Sequence, residues 1–280
     1  MINRISWTER VLVHAVLILF AVIAVFPFLW LLSTSFKPAA EIFTSEIHLV
    51  PETFTWENYQ YLFAMKDNLF LKWIWNSVFV ALLTTVLAVF LSATTAYALS
   101  RFNFPGKRGV MYSFLLTQMF PAAILIVPLY NLIKNLGLLN SYTGLILAYM
   151  TTALPFCVWM LKSYFDSIPV ELEEAAKVDG LNTWGTFYRI VLPLALPGLA
   201  VTGFFAFITA WNEFLFALTF MSEQSAYTLP VGLRTFVFQF RTDWHYMSAG
   251  AVLITIPVLL FFAVAQRWLV SGLTAGGSKG

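Results

Sequence analysis

Trp73-Ile-Trp-Asn-Ser-Val-Phe-Val-Ala-Leu-Leu-Thr-Thr-Val-Leu-Ala-Val-Phe-Leu-Ser-Ala-Thr-Thr-Ala-Tyr-Ala-Leu99 contains no charged side chain. At a rise of about 1.5 Å per residue, a helix needs about 20 apolar residues to cross the ~30 Å hydrocarbon core of a bilayer. This stretch exceeds that length and lies between Lys72 and Arg101, so it predicts a transmembrane helix over residues 73–99. Working outward, five further segments pass the same test: 11–32, 110–130, 142–161, 194–220 and 247–265. The expected fold class is all-α. Residues 1–280 read as a single transmembrane domain, a polytopic membrane helical bundle of about six transmembrane helices.

Composition supports this. Of the 280 residues 60% are hydrophobic and only 11% charged, whereas a water-exposed domain carries roughly 25% charged residues. A net charge of +2 with no dense basic cluster excludes nucleic acid as a partner and leaves membrane lipids as the surroundings. One cysteine, Cys157, excludes a disulfide framework and a multi-cysteine metal site, and reads as an apolar filler within a span. Arg4 and Arg10 precede 11–32 as the basic region of a secretory signal would. That run is too long for a signal's apolar core, and no small-x-small cleavage site follows it, so it is expected to be an uncleaved first span. Pro27, Pro121, Pro128, Pro155, Pro197 and Pro257 fall in the spans, either as kinks that serve packing or as points of gating.

Orientation follows from the basic residues. With the N-terminus inside, segments 1–10, 100–109, 162–193 and 266–280 hold Arg4, Arg10, Arg101, Lys107, Arg108, Lys162, Lys177, Arg189, Arg267 and Lys279. The outer loops then hold fewer, Lys37, Lys66, Lys72, Lys134, Arg234 and Arg241, despite being longer in total. This bias predicts both termini inside. The outer loop 33–72 is acidic, with Glu41, Glu46, Glu52, Glu57 and Asp67, and aromatic, with Phe54, Trp56, Tyr59 and Tyr61. It reads either as a surface for an external partner or as an interfacial segment with its rings at headgroup level.

Catalytic and nucleotide-binding motifs are missing. There is no G-x-x-x-x-G-K-[ST] loop; the tail Gly276-Gly-Ser-Lys-Gly280 has the wrong order and no following helix. His14, His48 and His245 lie in three separate segments, which argues against a metal site. The chain is therefore expected not to be an enzyme, and its energy source is either an ion gradient or a separate subunit.

The loop 162–193 is too charged to enter a bilayer and carries helix punctuation. Pro169 suits a first helical turn, and Glu171, Glu173 and Glu174 lie where a helix N-terminus favours acids. Gly180 suits a left-handed C-terminal cap, and Asn182 or Thr183 suits the N-cap of a second helix carrying Trp184, Phe187, Tyr188 and Ile190, with Pro193 leading into span five. The expectation is a helix–turn–helix on the inner side. Small Ala175 and Ala176 would permit close approach of another protein, with Glu174 available to a basic partner. A plain connecting hairpin is the other reading.

Glu174-Ala175-Ala176, then Gly180, then Ile190-x-Leu192-Pro193 matches at every fixed position and gap the EAA signature of ATP-binding-cassette importer permeases, which the chain resembles over essentially its whole length. Gln118-Met-Phe-Pro121, Tyr227-Thr-Leu-Pro-Val-Gly232 and Leu273-Thr-Ala-Gly-Gly-Ser-Lys-Gly280 are similar to MalG-type permeases of maltose-type sugar importers. The resemblance implies a non-catalytic permease in a bacterial or archaeal cytoplasmic (inner) membrane. It would act with a second, MalF-like permease subunit, two ATPase subunits that bind ATP and Mg, and an extracytoplasmic sugar-binding protein; no cofactor sits in this chain. It implies an EAA coupling hairpin with Glu174 as charged anchor, Ala175 and Ala176 as the close-approach face, Gly180 as the turn, and Asp179 and Leu181 beside it. It also implies a C-terminal tail, Gly276, Gly277, Ser278, Lys279 and Gly280, reaching the ATPase. The implied cargo is a di- or oligosaccharide, with maltose or trehalose the foremost.

Glu213, in Trp211-Asn212-Glu213 of span five, is the one acidic residue within the spans. A carboxylate in hydrocarbon is costly, so it reads either as part of the translocation pathway or as a buried hydrogen-bond partner. An ion-gradient-driven secondary transporter would need more intramembrane ionisable groups and internal repeats. A membrane-embedded enzyme would need clustered His, Asp or Glu at one membrane face, and neither pattern is evident.

Overall fold

The computed structural model describes residues 6–44, 48–238, 240 and 242–277, with side chains as far as Trp268. Its helices, in chain order, are α1 (Trp7–Ser35), α2 (Ala39–Ile42), α3 (Glu57–Phe63), α4 (Leu69–Arg101), α5 (Lys107–Met119), α6 (Ala122–Asn135), α7 (Tyr142–Asp166), α8 (Glu171–Val178), α9 (Thr183–Thr186), α10 (Leu192–Leu194), α11 (Leu196–Trp211), α12 (Leu215–Phe220), α13 (Leu229–Leu233) and α14 (Trp244–Gly277). The only β pairing among the described residues is the isolated bridge Val237–Thr242.

Four of the six expected spans are continuous helices long and apolar enough to cross a membrane, within α1, α4, α7 and α14. The other two are bent. The span expected at 110–130 breaks between α5 and α6 by 107°. Pro121 has no N–H to continue α5 and drives Phe120 into an extended conformation (φ −80°, ψ 125°). The span expected at 194–220 does not start at Leu194 either. Leu194 ends a preceding helical segment, the chain turns by 78° into α11, and α11 stops at Trp211 before α12 resumes. Pro27, Pro128, Pro155 and Pro257, by contrast, lie inside helices that continue through them.

The residues fall into two compact units. One comprises the described residues up to Asn68 together with Leu233–Thr255. Here α1 begins with a capping box, Ser6 with Glu9, and every side chain from Trp7 to Trp30 is exposed. A helix apolar all round has lipid or another protein as its solvent. After α1 the acidic loop folds back on itself. Asn58 Nδ2 donates to the carbonyls of Ser35 (2.8 Å) and Lys37 (2.9 Å), and Phe36 stacks on Phe54 with ring centroids 4.5 Å apart. Phe54, Trp56 and Tyr61 remain exposed, so the partner-surface and interfacial readings of this loop both stand.

The second unit is Leu69–Gly232 with the described residues from Ile256. Its centre is the packing of α4, α7 and α11 through small side chains, Ala88, Ala153, Cys157 and Ala206, which let three backbones approach closely. Cys157 is fully buried among them, as an apolar filler. At the N-terminal end of α4 the segment 222–232 is drawn into the bundle. Trp73 Nε1 donates to Gln224 O (2.7 Å), Asn76 Nδ2 to Ser225 O and Tyr227 O (both 2.9 Å), and Ser77 Oγ accepts from Leu229 N (2.7 Å). Gly232 is required here because a Cβ would meet the Trp73 ring at 2.2 Å.

Candidate functional site

The hairpin 162–193 is built at the C-terminal ends of α4 and α7. Pro169 ends the chain leaving α7, two residues before α8 rather than in its first turn, and Val170 O receives the N–H groups of Glu173 and Glu174. At the other end Gly180 adopts φ +87°, a conformation L side chains rarely take. Gly180 N–H then bonds Lys177 O and Leu181 N–H bonds Ala176 O, the paired closure of a Schellman cap. Asn182 Oδ1 accepts from Gly185 N (2.8 Å) and caps α9, which continues through a π-helical stretch Phe187–Val191 into α10. Two turn residues of the hairpin, Gly180 and Asn182, thus sit at the junctions where they were expected, whereas Pro193 lies within α10, before the bend into α11, and does not itself lead into span five.

The two faces of the hairpin differ sharply. Glu174, Ala175, Lys177, Asp179 and Gly180 are exposed, as are Val178 (88%), Trp184 and Tyr188. Leu181 is half-buried. Ala176 departs from the expected close-approach pair: it is buried, one helical turn on from Glu173, and faces the bundle. The outward surface of α8 is therefore Glu174 and Ala175 without Ala176.

The inward face holds a residue whose role was not evident from the sequence. Glu173 is 2% exposed. Its Oε2 accepts from Tyr97 OH (2.7 Å) and its Oε1 from Arg101 Nε (2.5 Å). Arg101 Nη2 also donates to Ile168 O (2.9 Å), and Nη1 to Ser100 Oγ (3.1 Å). Ser100 Oγ in turn donates to Asp166 Oδ1 (2.6 Å), whose other oxygen pairs with Lys162. A buried carboxylate is tolerated when its charge is paired and both oxygens are bonded, and here both conditions hold. Around the pair Tyr97, Leu161, Phe165, Ile168, Phe187 and Val191 form one apolar cluster. The periodic signal was present in the sequence, since Glu173 shares a helix face with Ala176. Its partner lies 72 positions away and left no local trace.

The pathway candidates are placed less openly. Trp211 is buried and stacks on Phe207 (5.5 Å), which stacks on Phe261 (4.5 Å). Asn212 is exposed at the break after α11. Glu213 turns onto α12, its Oε1 accepting from Phe216 N (2.8 Å) and its Oε2 from Ala217 N (3.1 Å). It satisfies free amides at the start of α12, and the pathway and hydrogen-bonding readings of Glu213 both stand. In the tail, the α14 backbone reaches Gly276 and Gly277, while Ser278, Lys279 and Gly280 lie outside the described residues. Among the described residues no group of three His, Cys, Asp or Glu side chains is placed to hold a metal ion.

Residues 88–275 match the model of the family described as "Binding-protein-dependent transport system inner membrane component". The chain is 41% identical over 259 residues to the trehalose transport system permease protein of Mycobacterium tuberculosis, covering 92% of this chain and 93% of that one. It is also 41% identical over 255 residues to the sulfoquinovosyl glycerol transport system permease protein of Agrobacterium fabrum, covering 91% and 89%. Among solved structures it resembles a chain of a bacterial ABC transporter involved in import of the acidic polysaccharide alginate. The TM-score there is 0.80 at 25% identity, over 94% of this chain and 98% of that one.

Proposed function

Because the chain belongs to the family of binding-protein-dependent transport system inner membrane components, we propose that it carries a di- or oligosaccharide across the cytoplasmic membrane, driven by partner ATPases that grip its hairpin. As a permease subunit it is a multi-pass, non-catalytic component of the inner membrane. The hairpin's exposed face is the surface offered to the ATPase. Glu174 supplies a charge for a basic residue, Ala175 lets a backbone approach, and the Gly180 cap sets the turn. The observation that carries this reading is the division of α8 into an exposed Glu174–Ala175 face and a buried Glu173–Ala176 face locked to the bundle. Such a hairpin can be pushed from outside without parting from the spans.

A carbohydrate cargo is favoured by the relatives, whose names specify trehalose and sulfoquinovosyl glycerol at the same 41% identity. That equality leaves identity unable to choose among sugars, and an α-linked disaccharide such as maltose or trehalose is the first to test. The proposed assembly has a second permease, two ATPase subunits and an extracytoplasmic sugar-binding protein. Purification from native membranes in mild detergent, with identification of subunits and a hydrolysis assay, tests it. The expected result is co-purification of a second permease and ATPase, with hydrolysis stimulated by disaccharide-loaded binding protein. Recovery of this chain with neither would refute the assembly.

A further inference from the structure

We propose that Arg101 is the positioning residue that fastens the hairpin to α4, and that α4 is the strut carrying the ATPase stroke to the opposite end of the bundle. The inference rests on the proposed role of the hairpin and adds the route by which load enters the spans. Arg101 is the last residue of α4. Its guanidinium holds the hairpin on both sides of Pro169, through Ile168 O before it and the Glu173 carboxylate after it. Tyr97, one turn earlier on the same helix, donates to the other oxygen of that carboxylate. A displacement of α8 is thereby resisted by α4 along two directions. The planar fork of a guanidinium suits this double hold, and a lysine ammonium does not reproduce it.

The other end of the same helix is fastened as firmly. Trp73 and Asn76 bind the carbonyls of Gln224, Ser225 and Tyr227, and Ser77 takes Leu229 N–H. Between the two fastenings α4 has no proline or glycine to absorb a push. Its 33 residues span about 50 Å at ~1.5 Å per residue. In the orientation set by the basic residues, the first fastening lies inside and the second holds an outer segment, within reach of an external binding protein. Load at one end therefore biases the other, and the coupling runs in both directions.

The test uses the assembled transporter in proteoliposomes, with basal and binding-protein-stimulated ATP hydrolysis measured beside the amount of assembled complex. For Arg101→Met, which leaves the Glu173 charge unpaired, less complex is expected to assemble, but basal hydrolysis per assembled complex should persist while stimulation per complex falls about tenfold or more. Arg101→Lys should be intermediate, because it keeps the charge pair and loses the planar fork that also reaches Ile168 O. The exchange Arg101→Glu with Glu173→Arg, which restores the charge pair but not the bond to Ile168 O, should recover part of the stimulation lost in Arg101→Glu alone. Asn76→Leu, at the far fastening, should reproduce the Arg101→Met pattern. Unchanged stimulation in Arg101→Met overturns the proposal. So does a fall in basal and stimulated rates together, in step with assembled complex, since that marks a purely structural role. Glu174→Ala run in parallel separates the two ideas: if it leaves stimulation intact while Arg101→Met abolishes it, the docking face fails and the strut stands.

Discussion

Glu173 and Glu174 are adjacent, chemically identical and oppositely disposed. One is sealed against Arg101 and Tyr97; the other points away from the bundle. Breaking a buried ion pair by deleting one partner typically costs about 3–5 kcal/mol, because the surviving charge is left unpaired in a low-dielectric site. Glu173→Ala should therefore lower the thermal midpoint of the detergent-solubilised protein markedly, with Glu173→Gln lowering it less because the amide still accepts from Arg101. Glu174→Ala should leave the midpoint unchanged, since among the described residues none holds its side chain through a hydrogen bond. Equal midpoints for the two alanine variants would contradict the assignment of faces. Gly180 and Asn182 were legible because caps are local: each acts on backbone groups a few residues away. The Glu173–Arg101 pair was not, because helix period gives a face and says nothing of what lies opposite it.

At the scale of the element, apolar length alone marked six candidate crossings, of which four are continuous helices and two are bent pairs, and it read continuity correctly only where nothing interrupts the hydrogen-bond ladder or where the surrounding helix carries a proline through. Pro155 and Pro257 are carried and Pro121 breaks its span, a difference that the presence of a proline in an apolar run does not reveal. Span five breaks again after Trp211, where Glu213 takes the free amides of α12. If Glu213 serves as a cap, Glu213→Gln keeps one acceptor and should retain most transport, whereas Glu213→Ala should destabilise by about 1 kcal/mol or more. A loss of transport in Glu213→Gln with an unshifted melting temperature would instead make its charge part of the pathway. The segment 222–232 is a further case in which linear reading fell short. It reads as an outer loop, yet Thr228, Leu229 and Val231 are buried and its carbonyls are bonded by α4.

At the scale of the whole molecule, a chain with 60% hydrophobic residues and a first helix exposed from Trp7 to Trp30 needs a bilayer or a partner to satisfy its surface. Sidedness is the property that joins structure to the proposed mechanism, because ATPases can grip the hairpin only if it faces the compartment that holds ATP. Val178 is 88% exposed on α8, and Cys157, the native thiol, is fully buried. A Val178→Cys variant in sealed right-side-out vesicles should therefore resist an impermeant maleimide until the membrane is opened, while Cys157 stays unreactive throughout. Labelling of intact vesicles would place the hairpin outside and invert the topology. The central claim, that this chain transports sugar because ATPases act on its hairpin, is met most directly by sugar uptake into proteoliposomes containing the full complex and enclosed ATP. Uptake should require ATP and the binding protein, persist when ion gradients are collapsed, and be lost in Glu174→Ala; uptake without ATP that follows an ion gradient would contradict the account.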